Sequence, residues 1–332
     1  MPVSIRDVAE RANVSRGTVS HVLNGRTEAR IALETQERVR QAARELGYVP
    51  NQMAKYLFRG KTHLIGVVAT GIINPFYAEL IGASETAIAE SGYRRLVDAS
   101  APLISNVRPE ILSVWPVDGI LMHGAVGRAA EGLLGARVEH VPVVYLDSPA
   151  DAQHDTVQFE LAPAIADASG QMVAKGHTRF GIVSPLDQFD LLVKQRYQPL
   201  YNACHTINTR PNYFRLKEDS RQSAFQLGMQ IAGMPPATRP TILFCHSDHL
   251  AIGIYNGLVR RGVRAPDDIG IIGIDGISET DCMDRLLSTI KHPVDELCKV
   301  AVTMLRERIE GTVTSSPRHV NIPSVFLPRE TT

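Results

Sequence analysis

The chain opens with an amphipathic segment that predicts two short helices joined by a tight turn, SIRDVAERANVSRGTVSHVLNG at residues 4–25. Ser4 and Asp7 have the spacing of a capping box, which predicts where the first helix begins. Asn13 stands at the break, and asparagine tolerates the left-handed backbone that such a turn needs. Ser15 is the expected cap of the second helix. The apolar residues of each helix then fall on one face, so the polar residues between them face outward.

A third helix is expected from about Leu33 to Leu46, where Gly47 ends it, so residues 1–48 are predicted to form a small three-helix unit. Residues 1–60 carry ten Lys or Arg and six Asp or Glu, an excess of four positive charges. The remaining residues carry 25 basic and 29 acidic side chains, although the whole chain has a formal net charge of zero. A basic unit on a slightly acidic body indicates that the first unit meets phosphate.

From residue 63 onward, apolar strand-like runs alternate with amphipathic helices, which predicts parallel sheets covered on both faces. About 270 residues are too many for one comfortable open sheet, so two α/β subdomains with a cleft between them are expected. The predicted strands are 64–69, 95–97, 119–122, 141–146, 180–183, 241–245, 269–274 and 287–290. The predicted helices are 76–90, 164–174, 220–231, 250–261 and 294–309.

Several classes of protein are disfavoured by what the sequence lacks. The cysteines have no Cys-x-x-Cys spacing and no histidine at ligand spacing, so neither a zinc site nor a disulfide is expected. No apolar run approaches the ~18–20 residues of a membrane span, and no apolar signal core is present, so a cytoplasmic protein is expected. No Ser-His-Asp order, metal triad or phosphate-binding glycine loop appears. The sequence therefore predicts neither an enzyme nor a bound cofactor.

Five segments of the chain strongly resemble the LacI/GalR family of bacterial repressors. The head of that family is matched by Ile5–Ala9, Val14–Ser20 and Val22–Asn24. The match continues through Leu46–Asn51 and through Ala54–Leu57, which corresponds to the family's hinge. The resemblance covers essentially the whole chain, and the head and hinge motifs are highly specific.

The resemblance implies an all-α helix-turn-helix head joined by a hinge helix to an α/β periplasmic-binding-protein-like domain of two parallel-sheet subdomains. The DNA-binding domain is expected at 1–48, the hinge helix or linker at 49–61, and the effector-binding and dimerisation domain at 62–332. The N-subdomain is expected at about 62–158 and 292–320, and the C-subdomain at about 159–291 and 321–330.

By the resemblance, the second helix lies in the major groove, with Arg16, Gly17 and His21 at the family's base-reading positions. Arginine can grip a guanine edge in bidentate fashion, worth ~1–3 kcal/mol of discrimination. His21 departs from the family, which usually has arginine there. A hinge of eight residues is mostly unfolded alone, and Leu57 matches the residue that wedges between base steps in the minor groove. The predicted DNA contacts are Ser15, Arg16, Gly17, Thr18, Ser20, His21, Asn24, Asn51, Ala54, Lys55 and Leu57.

The effector is expected in the cleft, near strand carboxyl ends and helix amino ends. Phe76 is interpreted either as a stacking surface or as a core aromatic, and Asp248 as a ligand contact, a helix cap or both. Lys194 and Tyr197 are aligned with a family arginine and a glycine three residues later, and lysine cannot make the forked contact of arginine. Pro163 replaces another common glycine. The predicted effector contacts are Asn74, Phe76, Asp98, His123, Asp147, Lys194, Ser247, Asp248 and Asp275.

The leading hypothesis is a homodimeric repressor of pseudo-palindromic double-stranded operator DNA, controlled by a small-molecule effector. A sugar or sugar derivative is the first expectation on family frequency. A nucleobase, a carboxylate metabolite or no ligand stays open, as does whether the ligand releases or promotes DNA binding. The alternatives are a solute-binding protein with an incidental bundle and an enzyme on an α/β scaffold. The basic head and the missing signal peptide argue against the first, and the missing catalytic constellation argues against the second.

Overall fold

The structure is a computed structural model that describes residues 3–23, 31–48, 61–70, 74–101, 116–124, 141–150, 152–186 and 191–332. The chain divides into two compact units, residues 1–62 and 63–332. In the part of the chain that the structure describes, no helix is long and apolar enough to cross a membrane. Five predicted DNA contacts lie outside the described residues, namely Asn24, Asn51, Ala54, Lys55 and Leu57.

The first unit is built from helices α1 (Ile5–Ala12), α2 (Arg16–Leu23) and α3 (Leu33–Glu45), close to the predicted positions. The backbone N and the Oγ of Ser4 both donate to Asp7 Oδ2 at 2.8 Å, which is the expected contact at the start of α1. Asn13 has the left-handed φ of 51° that the turn to α2 requires. The buried residues where the helices meet are Val8, Ala9, Ala12, Val19, Val22, Val39, Ala42 and Ala43.

The second unit alternates strands with helices. Its strands are β1 (Leu64–Thr70), β2 (Arg94–Ala101), β3 (Gly119–His123), β4 (Val143–Leu146), β5 (Asp155–Glu160), β6 (Phe180–Ser184), β7 (Asn212–Arg215), β8 (Ile242–Cys245), β9 (Gly270–Asp275), β10 (Ser288–Lys291), β11 (His319–Pro323) and β12 (Val325–Leu327). Its helices are α4 (Pro75–Glu90), α5 (Ala162–Ala174), α6 (Leu191–Thr206), α7 (Arg221–Ala232), α8 (Asp248–Arg260) and α9 (Val294–Glu310), with a 3-10 turn at Ser278–Asp281.

These strands form two six-stranded sheets with the orders β11-β5-β4-β3-β1-β2 and β12-β10-β9-β8-β6-β7. Every pairing in the first sheet is parallel, and in the second only β12 runs antiparallel to its neighbour. The chain passes between the sheets after Glu160, after Lys291 and after Pro323. The carboxyl ends of the parallel strands therefore gather at one edge of each sheet, where clefts of such folds lie.

Five elements were not among the predicted ones: β5, β7, α6, β11 and β12. Strand β5 begins with a buried carboxylate, Asp155, that hides the apolar pattern. Helix α6 contains Pro199, which breaks the helical pattern in sequence. Strands β7, β11 and β12 lie at the sheet edges and are only partly buried, so their sequences do not form apolar runs.

Helices cover the sheets as the sequence predicts. Helix α9 packs against α4 and against strands β3, β4 and β5 of the first sheet. Helices α5 and α6 pack together, as do α7 and α8. Pro163 lies in the first turn of α5, where a missing backbone N–H costs the helix nothing.

Candidate nucleic-acid interface and ligand cleft

Helix α2 presents its polar side outward. Ser15 Oγ accepts a hydrogen bond from Thr18 N at 3.1 Å, so Ser15 caps the helix as expected. Val19 and Val22 are buried against the neighbouring helices. Two of the predicted base-reading residues are exposed and the third is half-buried, while Thr18 and Ser20 flank them half-buried. The exposed set is Ser15, Arg16 and Gly17, and the half-buried reading residue is His21.

The outward face of α2 is not used by the rest of the first unit. Among the described residues, Arg16 has neither an ion-pair nor a hydrogen-bond partner. A Cβ placed on Gly17 would meet only Ser15 Oγ, at an ordinary 3.5 Å. Glycine in a helix costs up to about 1 kcal/mol relative to alanine, and the fold does not need a glycine here. Arg16 and Gly17 therefore form a surface that is open to a partner.

Other arginines of the first unit serve its own fold. Arg38 Nε donates to the carbonyl oxygen of Ala12 at 3.0 Å, which satisfies the end of α1. Arg11 pairs with Glu45 at 2.6 Å and joins α1 to α3. Among the described arginines of this unit, only Arg16 and Arg44 have no ion-pair or side-chain hydrogen-bond partner, and Arg16 is the one that lies on the outward face of α2.

In each sheet of the second unit, one strand leads to an aspartate whose carboxylate lies near a histidine. Asp147 follows β4, and its Oδ2 lies 3.9 Å from His123 Nε2 at the end of β3. Asp275 ends β9, and its Oδ1 lies 3.9 Å from His292 Nε2 after β10. Both aspartates have left-handed backbones, with φ of 47° and 127°. The two sheets thus present matched acidic strand ends, and three of these four residues were predicted as effector contacts.

His292 is the member of this set that sequence reasoning missed. Its ring stacks on Phe159 at a centroid distance of 4.2 Å and an angle of 9°. Its Nδ1 lies 2.8 Å from Ser324 Oγ. Burial lowers the pKa of His292 to about 3, so the ring is neutral and its contact with Asp275 is not an ion pair.

Phe76 and Asn74 have roles within the protein. Phe76 is 5% exposed and packs edge-on against Phe159 and His292, with centroids 6.2 and 5.9 Å apart. It therefore matches the core interpretation rather than the stacking one. Asn74 Oδ1 accepts from Phe76 N at 3.1 Å and caps α4. Its predicted ligand contact would compete with this cap.

Asp248 and Ser247 are also engaged internally. Ser247 Oγ accepts from Leu250 N at 3.3 Å and caps α8. Asp248 is 0% exposed, and its carboxylate accepts hydrogen bonds from Gly276 N, Ile277 N and Thr289 Oγ1. Burial and these three donors direct the Asp248 carboxylate into the protein rather than toward the cleft, and the cap of α8 is Ser247 rather than Asp248.

The predicted lysine contact needs a correction. Lys194 is exposed on α6, whereas Arg196, two residues later, is half-buried with Nη1 2.9 Å from His246 Nε2. Residues two apart on a helix point in nearly opposite directions, so both cannot face the cleft. The charge of Arg196 acts on Asp275. An arginine, Arg196, therefore lies near Asp275 in place of the predicted lysine. Tyr197 is a fully buried core residue.

The pKa of Asp275 is strongly perturbed by its surroundings. Burial raises its pKa well above the usual range, and the nearby charge of Asp248 raises it further, while Arg196 opposes both. Its side chain is only 8% exposed, and among the described residues Oδ2 has no hydrogen-bond partner. Burial and Arg196 together lower the pKa of His246. Asp98, predicted as a contact, lies half-buried on β2 opposite Val68.

The resulting cleft can hydrogen-bond a polyhydroxylated molecule. A carboxyl oxygen without a partner accepts from hydroxyl groups, and a guanidinium donates to them. Sequence reasoning found the strand-end aspartates because they follow apolar runs directly. It missed Phe159, Arg196, His246 and His292. His246 stands just before the cap of α8 and His292 just after β10, whereas the sequence does not distinguish Arg196 from Lys194.

Both units of the chain are similar to known proteins. Residues 4–51 match bacterial regulatory proteins of the lacI family, and residues 170–332 match a periplasmic binding protein-like domain. The ribose operon repressor of Escherichia coli K12 is 30% identical over 310 residues, covering 92% of this chain and 93% of the repressor. The chain belongs to the lacI family of bacterial regulatory proteins.

A second curated repressor and a solved structure are also similar to this lacI-family protein. The HTH-type transcriptional repressor CytR of Escherichia coli K12 is 28% identical over 315 residues, covering 93% of this chain and 90% of CytR. The crystal structure of the Lac repressor dimer bound to operator and the anti-inducer ONPF has the same fold, with a TM-score of 0.81 at 23% identity. The match covers 100% of this chain and 99% of the Lac repressor chain.

Family membership confirms the helix-turn-helix head and the two-sheet periplasmic-binding-protein-like domain. The protein is a DNA-binding transcription regulator and not an enzyme.

Proposed function

We propose that this lacI-family regulator is a homodimeric repressor whose affinity for a pseudo-palindromic operator is set by a sugar or sugar derivative in the cleft. Two observations carry the proposal: the outward face of α2 is open at Arg16 and Gly17, and Asp275 Oδ2 in the cleft has no hydrogen-bond partner among the described residues. The first feature suits a base edge and the second suits a hydroxyl group. The protein would act in the cytoplasm, where its operator lies.

On the DNA side, Arg16 reads a guanine edge while Gly17 lets the helix approach the groove. The flanking hydroxyls and the capped amino end of α2 contact phosphates. His21 contributes a shorter reading side chain than arginine. The hinge residues Asn51, Ala54, Lys55 and Leu57, together with Asn24, are assigned to DNA through the family resemblance alone. The supporting contacts from described residues are Ser15, Thr18 and Ser20.

On the ligand side, we assign direct contacts to Asp147, His123, Arg196, His246 and Asp275. The aspartates and His123 were predicted from sequence, and the other two come from the geometry of α6 and β8. A sugar is the favoured class because the ribose operon repressor is 30% identical to this chain. A lacI-family regulator from Enterococcus faecium with bound ribose also has this fold, with a TM-score of 0.70 at 22% identity.

Operator recognition is tested by selecting binding sites from random duplex DNA with the full-length protein. The expected product is a pseudo-palindrome bound at least ~10³-fold tighter than arbitrary DNA. Arg16→Ala should lower affinity for that site by about tenfold or more and relax one position in each half-site. Arg264→Ala removes another exposed charge, from the second unit, and should leave both the affinity and the base preference unchanged. Equal binding to all duplexes would refute the repressor proposal.

Effector binding is tested by thermal shift with D-ribose first, then other sugars, sugar phosphates and purines. A bound ligand raises the melting temperature in proportion to its concentration over its Kd. The stabilising compound is then added to the operator complex, where a change in operator affinity of about fivefold or more is expected. A purine or sugar-free metabolite as the sole stabiliser would refute the sugar class while leaving operator control intact.

A further inference from the structure

Asp248 is a buried carboxylate that joins three elements around the cleft. It is the first residue of α8. Its Oδ2 accepts from Gly276 N at 2.6 Å and from Ile277 N at 3.0 Å, in the loop after β9. Its Oδ1 accepts from Thr289 Oγ1 at 2.6 Å, on β10. Since the donors belong to the loop that follows Asp275, the carboxylate ties that loop to the helix and to the neighbouring strand.

Strand β9 leaves a space that this carboxylate fills. A Cβ built on Gly273 would lie 2.0 Å from Asp248 Oδ1 and 3.2 Å from Asp248 Cα. The first distance is far shorter than any real contact, so every side chain larger than hydrogen at this position would displace the carboxylate. Asp248 therefore sits directly on β9, two residues before the strand ends.

Two residues after this contact, the backbone is strained. Asp275 has a φ of 127°, a region that residues other than glycine rarely adopt. Such conformations persist only where the surrounding structure holds them. The two backbone N–H groups that follow Asp275 are the ones that Asp248 accepts. Within the described part of the chain, Asp275 Oδ2 itself has no partner although it is buried.

We propose that Asp248 is a positioning residue of the cleft, whose carboxylate holds the Gly276–Ile277 loop and thereby aims the Asp275 carboxyl group at the bound ligand. Asp248 does not touch the ligand. This inference rests on the proposed function for the nature of that ligand, but the clamp itself is a property of the ligand-free protein.

The two carboxyl groups have opposite environments. Asp248 receives three hydrogen bonds, and Arg329 also favours its ionised form, although burial raises its pKa. Asp275 Oδ2 receives no hydrogen bond from the described residues, and burial followed by the charge of Asp248 raises the pKa of Asp275 well above the usual range. Asp248 therefore keeps the negative charge and Asp275 takes the proton. Three other charged groups act on Asp275: Arg196 lowers its pKa, whereas Asp147 and Asp219 raise it. The neighbouring His292 is neutral.

The variant Asp248→Asn separates charge from shape, because asparagine can still accept from the loop. Titration of the aspartate carboxyl carbons by NMR in the ligand-free protein should show the midpoint of Asp275 falling by about one pH unit or more. The control Asp268→Asn changes an exposed carboxylate before β9 that also accepts a backbone N–H, from Arg264 at 2.8 Å. It should not move that midpoint. An unchanged or higher Asp275 midpoint in Asp248→Asn would overturn the proposal.

The variant Asp248→Ala removes the clamp itself. Native-state hydrogen exchange should then quicken about tenfold or more at the amides of Gly276 and Ile277, while the amides of β8 keep their rates. Unchanged exchange at both amides in a folded Asp248→Ala protein would also overturn the proposal. If that variant does not fold, the asparagine titration decides alone. Failure of every sugar to bind would instead contradict the proposed function, since neither readout contains a ligand.

Discussion

Glu79 and Ser278 form a direct contact between a helix that packs on the first sheet of the second unit and the turn that follows β9 of the second sheet. Glu79 Oε1 accepts hydrogen bonds from both the backbone N and the Oγ of Ser278, each at 2.8 Å. Glu79 lies on α4, which packs on β1 and β2, and Ser278 begins the 3-10 turn after β9. Because the turn follows the loop held by Asp248, the contact connects the segment after Asp275 of one sheet to a helix that packs on the other sheet.

The first prediction concerns this contact. Glu79→Ala removes both hydrogen bonds and should lower the free energy of unfolding by about 1–2 kcal/mol, as measured by urea denaturation. It should also reduce the ligand-induced change in operator affinity by severalfold, because the two sheets are then less firmly joined.

Glu85→Ala is the matched control for that variant. Glu85 lies on the same helix, but it pairs at 2.7 Å with Arg95 of β2, on the same side of the cleft. Its loss should leave the ligand response of the operator complex intact. Equal ligand responses in the two variants would contradict a bridging role for Glu79.

A second prediction follows from the open face of α2. Gly17→Ala should stabilise the first unit by about 0.5–1 kcal/mol, because alanine is the better helix former and the added methyl group meets only Ser15 Oγ. The same change should weaken operator binding by about tenfold, because the methyl group would collide with the base edges that α2 approaches in the major groove. Urea denaturation and fluorescence anisotropy measure the two effects.

Gly47→Ala provides the contrast for this prediction. Gly47 has a φ of 64°, so alanine there is strained and should destabilise the unit by about 1 kcal/mol. A Gly17→Ala protein that is both more stable and unchanged in operator affinity would argue that α2 does not enter the groove closely.

A third prediction concerns pH and the buried ion network of the first sheet. Asp155 on β5 accepts from Arg308 at 2.7 Å and from Arg318 at 2.8 Å. Burial alone would raise the pKa of Asp155, but the two arginines overcome this and lower it to about 2. The folded state therefore favours the ionised form relative to the unfolded chain. This stabilisation is fully present above about pH 4 and is lost as the pH falls toward 2.

Asp155→Asn should cost about 3 kcal/mol at pH 7, because it leaves two partly buried guanidinium groups without the buried carboxylate that they share. The loss should shrink between pH 4 and pH 2 in urea denaturation series. Asp267→Asn, at an exposed pair with Arg264 that is 3.7 Å long, should change stability by less than about 1 kcal/mol. If the free energies of unfolding of Asp155→Asn and of the parent protein differed by the same amount from pH 7 down to pH 2, the low pKa assigned to Asp155 would be contradicted.

A fourth prediction tests the place of Arg196. Removing its positive charge with Arg196→Gln should raise the pKa of both His246 and Asp275, because the cation lowers each of them in the folded protein. The His246 ring titration by NMR is the direct measurement, and Lys194→Gln is the control from the same helix. A shift of equal size in the control would show that the two side chains face the same way.

Much of the first unit is determined by local sequence. The Ser4–Asp7 cap, the left-handed turn at Asn13 and the buried positions of α2 depend on residues within a few positions of one another. Such contacts follow from the 3.6-residue period and from capping chemistry. Alternation of apolar runs with helices likewise predicted the parallel sheets, and the strand-end aspartates followed from where those runs stop.

The lining of the cleft was decided by tertiary structure. Lys194 and Arg196 are equally plausible in sequence, and only the packing of α6 shows which one reaches Asp275. Asp248 looked like a ligand contact until the loop after β9 and Thr289, 41 residues away, proved to be its partners. Periodicity and caps act over a few residues, whereas a binding site is assembled from strands whose order in the sheet is set by the burial of the whole chain.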